Sequence, residues 1–99
     1  MSTESQYLEN LIEDALLVDH NEILLYNDDV NTFEHVTKQL RDICGHNQFQ
    51  SIQCTSIIHS NGKCDVFTGP YAICYEIYDE LINAGLTVTI MKKWNILTK

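Results

Sequence analysis

Apolar residues recur along the chain with two different periods, and these periods predict its strands and helices. Three short stretches favour β-structure: residues 22–26, 63–67 and 86–90. The last stretch alternates apolar and polar residues and is rich in β-branched side chains. We therefore expect three strands, with Leu86, Val88 and Ile90 of the third facing the core.

Between the first two strands, the apolar positions follow the helical period in two successive segments. Asn31 supplies a capping side chain three residues before Glu34, and Gly45 supplies a stop. One face of this first helix is apolar: Phe33, Val36, Leu40 and Ile43. A second helix is expected to begin at Asn47 and end near Gly62, with these residues on one face: Phe49, Ile52, Thr55 or Ser56, and His59. The short link predicts that the two helices pack as a hairpin.

A third helix is predicted between the second and third strands. Gly69 and Pro70 precede it and Gly85 ends it. Its apolar stripe, which we interpret most simply as core, comprises Tyr71, Cys74, Tyr75, Tyr78, Leu81 and Ile82. The order β-α-α-β-α-β predicts an α+β fold: a two-layer α/β sandwich with three helices on one face of a three-stranded antiparallel sheet.

The residues ahead of the first strand are expected to form an N-terminal extension. Five apolar residues recur there at helical spacing: Leu8, Leu11, Ile12, Ala15 and Leu16. Residues 6–18 are therefore interpreted as an amphipathic helix, as a segment that folds on a partner, or as a solvated tail. We divide the 99-residue chain into an extension (1–20), a core domain (21–92) and a C-terminal tail (93–99).

The charge of the chain narrows the classes of partner. Six basic residues against 14 acidic residues give a formal net charge of −8, and most of the acids precede the first basic residue, Lys38. This balance disfavours nucleic acid and anionic membranes and favours a cationic ligand. No segment has the length and apolarity of a signal peptide or membrane span, so we expect a soluble, cytoplasmic protein. A monomer is the default expectation.

Asn27, Asp28 and Asp29 form a cluster of hydrogen-bond acceptors at the predicted start of the first helix. One interpretation is a turn and helix cap, since an Asp near a helix N-terminus is stabilising. The other is a site for a primary ammonium group. Carboxylates accept its N–H bonds, and an Asn carbonyl or a neutral imidazole such as that of His59 adds a further acceptor. The residue types alone leave both interpretations open.

The cysteines and the other histidines show no catalytic or metal-binding pattern. Four cysteines lie ten residues apart without paired spacing, and we interpret them as buried thiols: Cys44, Cys54, Cys64 and Cys74. His46 and His59 lack the spacing of metal ligands. A thiol enzyme built on Cys54, His59 and Asp28 has no local signature in its favour. We therefore predict no enzymatic activity, no metal and no cofactor.

Two linked groups of motifs carry a family resemblance. The segments YNDD (26–29) and TFEHV (32–36) are followed by IIHSNGK (57–63) and VFT (66–68). In sequence and spacing these segments resemble the ClpS family, the adaptors that deliver N-degron substrates to Clp proteases. The match extends over about residues 22–90, and two linked motifs at a fixed spacing are a specific signal.

The resemblance implies which residues bind a substrate. It implies that Asn27, Asp29 and His59 hold the α-amino group of the first residue of the substrate, and that Asp28 shapes the same rim. It also implies an apolar pocket for the first side chain, expected to take Leu, Phe, Tyr or Trp: Asn31, Phe33, Val36, Thr55, Ile58 and Leu86. Phe33 and Thr55 replace residues that are commonly Met in the family, which leaves the ranking of these side chains open.

The resemblance implies a non-enzymatic adaptor. Its expected partner is the N-terminal domain of a Clp AAA+ unfoldase, either ClpA-like or ClpC-like. Gly69 and Pro70 depart from a charged segment that the family links to unfoldase docking. The alternative is an interaction module or inhibitor of the same fold, which uses its acidic surface and does not read N-termini.

Overall fold

The computed structural model describes residues 19–92, which form three strands and three helices. The strands are β1 (Asn21–Tyr26), β2 (Lys63–Gly69) and β3 (Thr87–Lys92), and the helices are α1 (Phe33–Asp42), α2 (Gln48–Asn61) and α3 (Tyr71–Asn83). Their order confirms the predicted β-α-α-β-α-β fold. The predicted helix over 6–18 and the tail over 93–99 lie outside the described residues. Within 19–92, no helix is long and apolar enough to cross a membrane.

The strands form one antiparallel sheet in the order β2-β1-β3. In the central strand, Leu25 lies opposite Cys64 of β2 and Val88 of β3. The β1–β2 register shifts at a β-bulge, where Val66 is the extra residue of β2. The Nε2 atom of His46 donates a hydrogen bond to the Val66 carbonyl at 2.8 Å. The bulge is thereby tied to the connection between α1 and α2.

The core lies between the sheet and the helices. Its buried members come from all three helices and all three strands: Ile23, Leu25, Val36, Leu40, Cys54, Ile58, Val66, Cys74, Leu81, Leu86 and Val88. As predicted, α1 and α2 pack against each other. At their buried contact the hydroxyl oxygens of Thr37 and Thr55 lie 3.0 Å apart. The buried face of α2 thus contacts α1 as well as the core.

The N-cap of α1 is Thr32, so the prediction of Asn31 as the cap is wrong. Thr32 Oγ1 accepts a hydrogen bond from the backbone N–H of His35 at 3.0 Å. The Asn31 side chain has other partners, because its Nδ2 donates to Asp28 Oδ2 at 2.8 Å and to the Gly85 carbonyl at 2.9 Å. Asn31 therefore connects the loop ahead of α1 to the chain that enters β3.

The predicted start of α2 at Asn47 is confirmed, but of the face assigned to this helix only Thr55 is buried. Asn47 and Gln50 form a reciprocal capping box. The residues that α2 buries are Ser51, Cys54, Thr55 and Ile58. Phe49 and Ile52 are 68% and 40% exposed. Small side chains on the buried face let α2 approach its neighbours closely, which a search for large apolar residues does not detect.

The predicted core stripe of α3 is confirmed only in part, because Cys74 and Leu81 are buried and Tyr78 packs against the core, whereas Tyr71, Tyr75 and Ile82 are exposed. The residues that α3 buries are Cys74 and Leu81. Tyr71 and Tyr75 are 53% and 51% exposed, and their ring centroids lie 6.1 Å apart. Tyr75 and Tyr78 stack in the same way at 6.2 Å. The tyrosines follow the helical period, but α3 meets the sheet along the line of Cys74 and Leu81.

Two neighbouring isoleucines of α2 provide a matched test of its buried face. Ile58 is 2% exposed, whereas Ile57 is 41% exposed. We expect Ile58→Ala to lower the free energy of unfolding by about 2–4 kcal/mol, because it removes buried surface and leaves a cavity. Ile57→Ala should lower it by less than about 1 kcal/mol. Urea denaturation followed by circular dichroism measures both values, and equal losses would contradict the assigned face.

An acidic pair on β1 and β2 makes stability depend on pH. Partial burial and a hydrogen bond with Glu22 raise the pKa of Asp65 from 3.8 to about 6. The folded state binds the proton of the Asp65 carboxyl more tightly than the unfolded chain does. The protonated pair therefore contributes to the free energy of unfolding below about pH 4, and this contribution is lost as the pH rises through about 6. Asp65→Asn should therefore stabilise the protein at neutral pH, by less than about 1 kcal/mol. Urea denaturation at several pH values should show this gain shrinking on acidification, and a constant gain would contradict the assignment.

Candidate functional site

A depression opens where the end of β1 meets α1 and the last turns of α2. Its lining comes from β1, the loop after it, both helices and the residue ahead of β3: Leu25, Tyr26, Asn27, Asp28, Asn31, Thr32, Phe33, Val36, Thr55, Ile58, His59 and Leu86. The depression measures about 280 Å³ including its open mouth. Its interior leaves room for about one water molecule.

The carboxylate of Asp28 holds the loop that forms the rim of this depression. Its Oδ1 accepts the backbone N–H groups of Val30 at 3.0 Å and Asn31 at 2.8 Å. Its Oδ2 accepts Asn31 Nδ2 at 2.8 Å and the hydroxyl of Thr87 at 3.1 Å. These hydrogen bonds, first that from the Asn31 backbone, lower the pKa of Asp28 below 3.8. All four acceptor positions of the carboxylate are thus occupied by the protein.

Asn27 and His59 carry acceptors that no side chain or backbone group within 19–92 occupies. The backbone N–H of Asn27 donates to the Gly62 carbonyl at 2.8 Å, which ties the end of β1 to the end of α2. Its side chain has no hydrogen bond to a described residue. The His59 ring makes no hydrogen bond within residues 19–92 and lies against the Phe33 ring, at a centroid distance of 5.8 Å and an angle of 58°. Both side chains are exposed at the rim, where a ligand can reach them.

The walls of the depression are mainly apolar. Val36, Ile58 and Leu86 are buried, and Phe33, which is 36% exposed, lies at the outer edge. Thr55 is also buried, and its hydroxyl donates to the Ser51 carbonyl at 2.7 Å. Because this hydroxyl already has its partners within the helices, the walls require no polar group from a ligand. The arrangement is suited to an apolar side chain whose attached polar group stays at the rim.

The structure brings nearly all sequence-predicted site residues together. The six residues expected to contact the first side chain all line the depression: Asn31, Phe33, Val36, Thr55, Ile58 and Leu86. Asn27, Asp28 and His59 also line it. Asp29 does not, and its exposed side chain has no hydrogen bond to any described residue. The two adjacent aspartates therefore differ, since Asp28 is used within the loop and Asp29 faces solvent.

Three lining residues were not among the predicted site residues. Tyr26 and Thr32 flank the predicted cluster in sequence, and this proximity is the signal that could have identified them. Leu25 carries no such signal, because its position in the strand pattern indicates only core. It reaches the depression because the cavity extends down to the sheet.

The other chemistries considered for the histidines and cysteines have no assembled site. Within residues 19–92, no three His, Cys, Asp or Glu side chains are grouped so as to hold a metal ion. The His46 ring is hydrogen-bonded to the backbone of β2 and does not line the depression. Cys54 is also absent from this lining, and burial raises the pKa of its thiol, which disfavours the nucleophilic thiolate.

Comparisons with known proteins agree on one family. The family model described as ATP-dependent Clp protease adaptor protein ClpS matches residues 18–89. The ATP-dependent Clp protease adapter protein ClpS of Thermosynechococcus vestitus is 31% identical over 67 residues, which cover 67% of this chain and 71% of that protein. The fold is similar to the structure of Agrobacterium tumefaciens ClpS2 bound to L-phenylalaninamide. That similarity has a TM-score of 0.66 and 22% identity, and it covers 76% of this chain and 98% of that one.

The adjacent aspartates provide a matched test of the rim. We expect Asp28→Ala to lower the free energy of unfolding by about 1–3 kcal/mol, because it leaves the loop N–H groups and Asn31 without their charged acceptor. Asp29→Ala should change it by less than about 0.5 kcal/mol. Thermal and urea denaturation at neutral pH measure both effects. Similar losses for the two variants would show that the Asp28 carboxylate does not hold the loop.

Proposed function

This chain belongs to the ClpS family of ATP-dependent Clp protease adaptor proteins, and from this premise we propose that it binds N-degron substrates and delivers them to a Clp protease. The bound feature is a free α-amino group followed by a large apolar first side chain: Leu, Phe, Tyr or Trp. The protein acts in the cytoplasm, as an adaptor and without catalysis of its own.

The observation that carries the proposal is the combination of unoccupied acceptors with apolar walls in one depression. The side chains of Asn27 and His59 lie at the rim without hydrogen-bond partners among residues 19–92, next to buried Val36, Ile58 and Leu86. A first residue of a protein presents the complementary pair of groups, an ammonium and a side chain on the same carbon atom. The ligand named for Agrobacterium ClpS2, L-phenylalaninamide, has a free amine and a benzyl side chain.

The amino group is bound through charge-assisted hydrogen bonds. An α-amine has a pKa of about 7.7–8.0 and is mostly protonated at neutral pH. The side-chain carbonyl of Asn27 and a neutral His59 nitrogen accept hydrogen bonds from two N–H groups of the ammonium. The exposed Asp29 carboxylate supplies negative charge beside them. Acetylation removes the positive charge and leaves these acceptors without a donor, so acetylated and internal residues are rejected.

The first side chain is selected by burial against the apolar walls. Removing a Leu or Phe side chain from water contributes about 1.5–3 kcal/mol. The interior has room for about one water molecule, so a large side chain enters only when a wall moves. Phe33 is the residue suited to move, because it is partly exposed and its ring lies tilted against that of His59 at the rim. Its displacement opens the depression from the rim.

The adaptor role requires a second surface for the unfoldase. We propose the N-terminal domain of a ClpA-like or ClpC-like AAA+ unfoldase as the partner, with this protein acting as a monomer. Addition of the protein to a purified unfoldase and its protease should accelerate degradation of a reporter that begins with Phe. An otherwise identical reporter with a blocked amine should be degraded at the unassisted rate.

The direct test is fluorescence-anisotropy binding of labelled decapeptides that differ only in the first residue: free Phe, acetylated Phe and free Met. We expect free Phe to bind at least about 30-fold more tightly than acetylated Phe, corresponding to about 2 kcal/mol for the lost amine contacts. Asn27→Ala and His59→Ala should each weaken the binding of free Phe by about tenfold or more.

A histidine outside the depression provides the control. His20→Ala should leave binding unchanged, since His20 does not line the depression. Circular dichroism establishes that each variant is folded. Equal binding of the free and acetylated peptides would contradict the proposal, and an acidic-surface module that does not read N-termini would then describe the protein better.

A further inference from the structure

Two cysteines that the proposed function does not use lie side by side where α2 packs on β2. The Sγ atoms of Cys54 and Cys64 are 2.7 Å apart, and the Cys54 thiol donates toward Cys64. Both are free thiols. Cys54 is 5% exposed and Cys64 is half-buried. The pair thus joins a buried thiol to one that small solutes reach from solvent.

The distance between the two sulfur atoms is already short enough for a disulfide bond to form with a small movement. A disulfide has an S–S length of about 2.05 Å, so the sulfur atoms need to approach by only about 0.7 Å. The elements that carry them are already fixed, because Cys64 lies opposite Leu25 in the β1–β2 ladder and the Gly62 carbonyl accepts Asn27 N–H at 2.8 Å. A cross-link would therefore join two elements that the fold already holds in contact.

The other two cysteines lack such a partner. Cys74 is fully buried, and its thiol is directed to the carbonyl oxygens of Asn21 at 3.7 Å and Gly69 at 3.5 Å. Cys44 has no hydrogen bond to a sulfur among residues 19–92, and burial raises the pKa of its thiol to about 12. The contact between two sulfur atoms distinguishes Cys54 and Cys64 from both.

We propose that Cys54 and Cys64 form a peroxide-sensitive modification site, which is converted reversibly into an intramolecular disulfide. Cys64, the more exposed thiol, attacks one oxygen of hydrogen peroxide, the O–O bond breaks, and a sulfenic acid and one water are formed. The Cys54 thiol, whose proton is directed toward Cys64, then bonds to the Cys64 sulfur while its proton passes to the departing hydroxyl, which leaves as the second water. Two thiols and one peroxide thus yield one disulfide and two waters, and a small-molecule dithiol reverses the oxidation.

The disulfide acts on the wall of the depression. The closed loop contains Thr55, Ile58 and His59, which α2 contributes to the lining. Oxidation links the start of this segment to β2, so the disulfide opposes local opening of α2 and its junction with β2. Amide hydrogen exchange of residues 55–62 should become slower, and the melting temperature should rise.

Peptide mapping of the full-length protein tests the site. The reduced protein is treated with hydrogen peroxide, alkylated and digested with trypsin and chymotrypsin without reduction. Cleavage after Phe49, Lys63 and Phe67 separates the four cysteines. The expected product is one disulfide between the fragments 50–63 and 64–67, in a monomeric protein that has lost two hydrogen atoms and regains them with dithiothreitol.

Matched cysteine variants establish which thiols matter. Cys64→Ala should abolish both the linked fragments and the rise in melting temperature, whereas Cys44→Ala should retain both. If Cys64→Ala does not fold, Cys64→Ser at the same half-buried position replaces it. A disulfide to Cys44 or between two chains, or oxidation of Cys64 to a sulfinic acid without a cross-link, would overturn the proposal. An unchanged melting temperature with the disulfide present would overturn the restraint on α2.

Discussion

The carboxylate of Asp28 is the interaction on which the geometry of the depression depends. It accepts hydrogen bonds from two backbone N–H groups of the loop, from the side-chain amide of Asn31 and from the hydroxyl of Thr87. Asn31 extends the connection to the Gly85 carbonyl. One charged group thereby joins the end of β1, the start of α1 and the chain entering β3. Because these hydrogen bonds need the ionised carboxylate, the same network lowers its pKa.

This network separates two kinds of polar group that look alike in sequence. The Asp28 carboxylate accepts hydrogen bonds from groups of the protein itself. The side chains of its neighbours Asn27 and Asp29 make no hydrogen bond inside the described part of the chain. The hydrogen-bonded Asp28 carboxylate holds the loop in place. The side chains of Asn27 and Asp29 retain their full capacity to accept hydrogen bonds. A binding site for a cation needs both, because flexible acceptors would lose conformational entropy each time a ligand binds.

Helix α2 couples the depression to the rest of the fold. Its buried face is built of small and medium side chains, so it lies close to α1 through Thr55 and to β2 through Cys54. Its last turn carries His59 to the rim. A change at any of these contacts therefore bears on the wall of the depression. The large apolar side chains Phe49 and Ile52 are not on the buried face of the helix and remain exposed.

The amino-acid sequence by itself determined the order and type of the elements, since apolar periodicity, the start signal at Asn47 and the glycine stops act over a few residues. It also indicated the acceptor cluster after β1, and the family resemblance indicated the residues of the depression, whose roles in binding stay predictions. It did not determine that Phe49 and Ile52 of α2 and Tyr71 and Tyr75 of α3 are exposed, that Thr32 rather than Asn31 caps α1, or that Cys54 and Cys64 touch. Only the tertiary structure decided these features, because the exposed helix faces, the contact of Asn31 with Gly85 and the packing of α2 on β2 join separate elements, which local periodicity does not encode.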